Sequence, residues 1–128
     1  MGYRSDVRIV VTEEGYKKLE KFVENYFKEK EIIEPYNLLN HKDIKKTMQK
    51  YCYFGWNYVK WYEGFNDYED VNAIMKGLDY LAKNNFSYRF ARIGEDYDDI
   101  EERSFDSEKE GYLEYPSILR EFDDDIFE

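Results

Sequence analysis

Residues 3–11 alternate between apolar and polar side chains, with Val7, Ile9 and Val11 on one face and Asp6 and Arg8 on the other. A period of two predicts a half-buried strand. At Thr12 the period changes. Thr12 is a suitable N-cap, and Glu13 and Glu14 follow in the first turn, where the helix dipole favours acids. Tyr16, Leu19, Phe22, Val23, Tyr26 and Phe27 then form one stripe at helical spacing, which predicts a helix to about Lys30. Glu14–Lys18 and Glu24–Lys28 add i,i+4 support on its wet side. Regularity is lost over residues 31–46, where Pro35 interrupts and Leu38-Leu39 can anchor a loop or a short helix.

The stretch Thr47–Tyr62, TMQKYCYFGWNYVKWY, is dense in aromatic and β-forming residues. It predicts one strand, bent or bulged at Gly55. Aromatics fall on both of its faces, so both should be covered, by the helices on one side and by the C-terminal segment or a partner on the other. Core and interface, including a homodimer interface, are both open for Tyr51–Tyr62. Asp67 is placed to cap a second helix, with Asp70 three residues on. Val71, Ile74, Met75, Leu78, Leu81 and Ala82 recur at helical intervals until Asn84-Asn85. A strand over Phe86–Ile93 follows, with Phe86, Tyr88 and Phe90 alternating against Ser87, Arg89 and Ala91. A turn at Gly94-Glu95-Asp96 and a returning strand over Tyr97–Phe105 come next. Asp106–Gly111 reads as a polar loop, Tyr112–Phe122 as a further strand that Pro116 confines to an edge, and 123–128 as a fraying tail. The order predicts an α+β domain: a mainly antiparallel sheet of four to five strands with two amphipathic helices packed on one face. The length, 128 residues, suits a single domain.

Composition sharpens this picture in two ways. Aromatic residues make up 20% of the chain, too many for a disordered one despite 38% charged residues. The charge is also segregated. Residues 1–94 carry 14 acids and 16 bases, a net of +2, whereas residues 95–128 carry 15 acids and three bases, a net of −12, which together give the −10 of the chain. Such a field repels nucleic acid and membrane phosphates and attracts basic surfaces. No apolar run approaches the ~18 residues of a membrane span, and the first residues lack a secretory pattern. The single cysteine, Cys52, excludes an internal disulfide. A cytoplasmic protein is expected.

Several chemistries are disfavoured. His41 and Cys52 are the only soft metal ligands, and neither a zinc site nor a His–Cys dyad has its further members in view. The first strand–helix junction, VVTEEGYKK, sets two glutamates where a phosphate would lie. No cofactor is expected. GEDYDDIEE (Gly94–Glu102) lacks the glycine and frame of a calcium loop. On a strand, Asp96 and Asp98 would share a face with Ile100 and Glu102, and Glu95, Asp99 and Glu101 the other with Tyr97. Such rows suit a charge-protected edge, a weak cation site, an acid/base pair, or a phosphate-like ladder for a basic protein. Tyr97, Tyr112, Tyr115 and Phe122 lie among the acids as candidate anchors.

The opening Gly2-Tyr3-Arg4-Ser5-Asp6-Val7, together with WYEGF (Trp61–Phe65) and RIGEDYDDIEE (Arg92–Glu102), resembles small acidic proteins carried by phages and prophages of bacteria with A+T-rich genomes. The resemblance carries over no functional residue. It implies a setting in which small, acidic, non-enzymatic proteins resemble counter-defence factors such as anti-CRISPR inhibitors. The expected function is therefore inhibition of a host defence system. An acidic surface (Glu95, Asp96, Tyr97, Asp98, Asp99, Glu101, Glu102, Tyr112, Tyr115) would occlude a basic nucleic-acid-binding protein, a CRISPR effector for example, without direct contact to nucleic acid or membrane. The alternatives are a sponge for a small signalling nucleotide, held by convergence of Arg4, Arg8, Arg89 and Arg92 from neighbouring strands, and a metal-binding carboxylate enzyme.

Overall fold

The computed structural model describes residues 2–48, 50–111, 113, 122 and 124. The alternation from residue 5 onward produces strand β1 (Ser5–Thr12), and the change of period at Thr12 produces helix α1 (Glu13–Glu29). The Thr12 hydroxyl accepts the Gly15 N–H at 2.9 Å, so the cap read from the sequence is formed. Strands β2 (Ile44–Met48) and β3 (Tyr51–Val59), helix α2 (Glu69–Lys83), and strands β4 (Tyr88–Gly94) and β5 (Ile100–Phe105) complete the order. All neighbouring pairs are antiparallel, in the spatial order β2-β3-β1-β4-β5. This is the expected α+β architecture.

β1 lies at the centre, and its valines and isoleucine are fully buried on both faces. Val7, Ile9 and Val11 meet the helices, packing with Leu19 and Val23 of α1 and Ile74, Leu78 and Leu81 of α2. Val10 faces the other way, into a smaller cluster with Tyr53 and Leu113, bordered by Ile44, Met48 and Tyr51. Both faces of β3 are therefore covered. Cys52, Phe54 and Trp56 pack under the helices, and Tyr53 packs under Leu113 of the C-terminal segment. The Trp56 indole N–H donates to the Leu38 carbonyl at 2.9 Å, which fastens the loop after α1 to the sheet.

Three expectations change. The stretch read as one strand from Thr47 is a hairpin, because the chain turns between Met48 and Tyr51 and Thr47 pairs back onto Cys52. The irregularity lies beyond Gly55. Between Ser5–Val59 and Val7–Trp56, β3 has one residue more than β1, and Tyr58 adopts φ 54° there. Helix α2 begins after a single 3-10 turn over Asn66–Tyr68 that contains Asp67, and its N-cap residue is Tyr68, whose side chain makes no capping bond, rather than Asp67. The strand expected over Tyr112–Phe122 and the tail 123–128 lie outside the described residues, apart from Leu113, Phe122 and Asp124.

The open face of the sheet carries two buried cations. Arg8 is 3% exposed and Arg89 0%. Arg8 lies across Gly55, where a Cβ would come within 1.9 Å of the Val7 carbonyl oxygen. The Arg8 guanidinium donates to the Val7 and Trp56 carbonyls and to Asn57, and it pairs with Asp124 at 2.9 Å. Tyr53 also donates to Asp124, and Lys46 donates to its carbonyl. Arg89 pairs with Asp106. Acids of the C-terminal quarter therefore fold back as counter-ions for the body.

Two outcomes follow from this packing. Gly55→Ala should cost about 3 kcal/mol in urea unfolding, since the strand backbone itself obstructs the added methyl; a loss below ~1 kcal/mol would refute the close approach. Burial alone would raise the Asp124 carboxyl, but hydrogen bonds from Arg8 and Tyr53 and the charges of Arg8 and Lys46 together hold it below its ordinary value. Its contribution is thus full above the unfolded pKa of about 3.9 and is lost as pH falls through the folded one. Asp124→Asn should cost about 2–4 kcal/mol at pH 7 and flatten the acid limb of the stability–pH curve; equal acid limbs in the two proteins would refute the pairing.

Candidate functional site

The topology gathers the loops at one end of the sheet. Ser5 opens β1 opposite Val59, which closes β3, and opposite Gly94, which closes β4. α1 leaves β1 at the far end and returns. Residues 2–4, the loop 30–43, the connection 60–68 and the turn 95–99 therefore share the near end. Ile33, Tyr36, Tyr58, Phe65, Tyr97 and Ile100 all lie there. They are six of the seven large apolar side chains exposed among the described residues, the seventh being Tyr80 on α2. Contiguous exposed apolar surface marks interaction sites, whereas scattered single residues do not.

The acidic stretch contributes a turn rather than the start of a strand. The Gly94 N–H donates to the Asp99 carbonyl at 2.8 Å and the Asp99 N–H to the Asp96 carbonyl at 3.0 Å, which leaves β5 to begin at Ile100. The two rows of carboxylates predicted along one strand do not form. Their members divide by role instead. Asp99 turns inward, accepting from Arg92 at 2.7 and 2.9 Å and from the Tyr3 hydroxyl at 2.7 Å. Gly94 leaves room for this, since a Cβ would sit 2.1 Å from the Asp99 carboxylate. Glu101 takes the Arg92 Nε at 3.1 Å and the Arg103 Nε at 2.7 Å. The Asp99 hydrogen bonds, the largest influence, and Glu101 raise the Arg92 pKa against the lowering effect of burial. Glu95 accepts the backbone N–H of Arg4 at 2.6 Å, and the Asp96 N–H reaches the Tyr3 hydroxyl at 2.8 Å. Asp96, Asp98 and Glu102 are exposed, as is Tyr97 at 77%. Tyr112 and Tyr115 lie outside the described residues.

The four arginines expected to converge do not. β1 and β4 are neighbours, but Arg89 and Arg92 are three residues apart and so point to opposite faces. Arg8 and Arg89 share the open face with their carboxylates, Arg92 is at the helix side, and Arg4 lies beyond the strand with its guanidinium 4.9 Å from the Tyr58 ring centroid. His41 and Cys52 are also apart. His41 stacks on Tyr36 at 4.2 Å and 7°, whereas Cys52 is buried toward the opposite end of β3, where burial raises its thiol pKa. Among the described residues, no three His, Cys, Asp or Glu side chains group to hold a metal ion, and no helix is long and apolar enough to cross a membrane.

Sequence reasoning missed the aromatic part of this end. Two joined clefts lie there. One, of about 490 Å³, includes Arg4, Tyr36, His41, Tyr58, Tyr68 and Asp70 in its lining. The other, of about 460 Å³, includes Ile32, Pro35, Tyr36, Asp67, Tyr68 and Asp70. Tyr58 is held in the left-handed region by Asp6, which accepts its N–H at 2.8 Å, and by Arg4, which donates to its carbonyl at 3.3 Å. Backbone strain maintained by such contacts is common at functional positions. The available signal was Ile33 and Tyr36 around Pro35, apolar residues that no helix or strand period absorbs.

Comparisons with protein-family models, curated proteins and solved structures find no match to this chain.

Because Asp99 and Glu101 both lean on Arg92, Arg92→Met should cost about 2 kcal/mol and speed amide exchange over residues 95–99. Unchanged exchange there would show that the turn holds its shape without this pairing.

Proposed function

We propose that this chain is a non-enzymatic binding module that covers a basic, nucleic-acid-binding surface of a protein partner, in the manner of a phage-type inhibitor of a host defence system. The observation that carries the reading is the concentration of six exposed apolar side chains and the exposed carboxylates Asp96 and Asp98 at one end of the sheet, with Glu102 exposed farther along the edge strand β5. Exposed aromatic anchors supply binding energy when a partner desolvates them, and surrounding charges select that partner. The net charge of −10 attracts basic surfaces at long range. The anchoring is local and aromatic rather than a phosphate-like ladder, since the acids do not repeat along a strand. The setting, a host defence protein such as a CRISPR effector, comes from the phage-protein resemblance of GYRSDV and RIGEDYDDIEE. A nucleotide sponge built on Arg8, Arg89 and Arg92 has less support, because each already faces a carboxylate of the same chain.

The test changes exposed residues and leaves Asp99 and Glu101, which pair with Arg92, intact. Host nucleic-acid-binding proteins captured on the wild-type chain should be released by salt and by added nucleic acid. Tyr97→Ala alone should weaken capture by roughly 30-fold, about 2 kcal/mol, and the triple change Tyr97→Ala, Asp98→Asn, Glu102→Gln should abolish it. Capture that survives the triple change, or a partner that binds nucleic acid and this chain together, would overturn the proposal.

A further inference from the structure

The two clefts share three side chains, Tyr36, Tyr68 and Asp70, which line both of them. Tyr36 is 56% exposed and backed by the His41 ring, which fixes the direction of its outer face. Tyr68 is partly buried against Tyr62, with ring centroids 4.8 Å apart. Asp70 stands near the start of α2. Burial raises its carboxyl pKa, and the opposing contributions come from backbone N–H groups at the helix start rather than from a cation. Of the neighbouring acids, Glu69 is already engaged by Asn72, Tyr26 and Lys30. Asp67 and Glu34 lie exposed along the same groove. Two carboxyl side chains, Asp67 and Asp70, thus face the roughly half positive charge of a helix start.

Tyrosine faces beside a half-buried carboxylate without a cation match the chemistry of a guanidinium. The molecule uses the same pairing elsewhere, with Arg4 over Tyr58 at 4.9 Å in the same cleft and Arg103 over Phe90 at 5.7 Å. We propose that the joined clefts receive an arginine side chain from a basic segment of the partner, its guanidinium laid against Tyr36 and Tyr68 and paired with Asp70. Arginine fits better than lysine because a planar, weakly hydrated group can stack and pair at once. A nucleotide fits less well. Glu34, Asp43, Asp67 and Asp70 outnumber Arg4 and Lys60 in the lining, and Arg4 is engaged on Tyr58. The inference rests on the basic-partner reading above and names the side chain that reading leaves unspecified.

The test is a low-salt titration of the isotope-labelled chain with a capped oligo-arginine peptide, its lysine counterpart and adenosine monophosphate, followed by amide shifts. The arginine peptide should perturb Tyr36, Tyr68 and Asp70 and bind several-fold tighter than the lysine peptide. Asp70→Asn should weaken it roughly tenfold. Tyr36→Leu, in an exposed loop where folding is not at risk, should weaken it several-fold. Perturbation confined to residues 95–102, unaffected by either change, would overturn the inference and leave the basic-partner reading standing. Failure of both peptides to bind anywhere would sink both. Nucleotide binding in the clefts without peptide binding would overturn the arginine assignment in favour of a small anionic ligand.

Discussion

A cation withdrawn from water must find its counter-charge in the protein, and this constraint organises the chain. Arg8 and Arg89 are buried on the face of the sheet that the helices leave open. Uncompensated, each would cost several kcal/mol. Asp124 and Asp106 supply the compensation from the acidic quarter. On the helix side, Arg92 takes Asp99 and Glu101. The segregation of charge along the sequence is thus partly cancelled in space, as the C-terminal acids return to the basic residues of the strands.

That return also sets which acids stay at the surface. The acids used inside fix the turn after β4 and the covering of the open face. Asp96, Asp98 and Glu102 remain exposed. The turn lies beside Arg4 and Tyr58, and through them beside the clefts walled by Tyr36 and Tyr68. Acidic and aromatic surface are therefore continuous at one end of the sheet. This juxtaposition comes from the antiparallel order, because the start of β1 and the ends of β3 and β4 must coincide.

Much of the fold was legible because the periods were clean. Val7, Ile9 and Val11 announced β1, Thr12 announced α1, and the stripe from Val71 to Leu81 announced α2. The β2–β3 hairpin was not legible, since MQKY offers none of the Gly, Asn, Asp or Pro signals that mark a tight turn. The opposite facing of Arg89 and Arg92 follows from their odd spacing along β4. The site was legible only in part. The exposure of Tyr97 among acids agreed with the sequence, but the inward turn of Asp99 depends on Tyr3, which lies 96 residues away. The aromatic clefts depend on residues 31–43 and 58–70 meeting at one end, and no local pattern encodes that.

The split among the acids has an evolutionary consequence. Asp99, Glu101, Asp106 and Asp124 each answer to an arginine of the same chain, so either member of a pair can change safely only with the other. Asp98 and Glu102 are exposed and hold no such pairing among the described residues, so they can drift without disturbing the fold. The paired body can stay constant while such exposed positions are rewritten, so a descendant chain could present a different surface without having to refold.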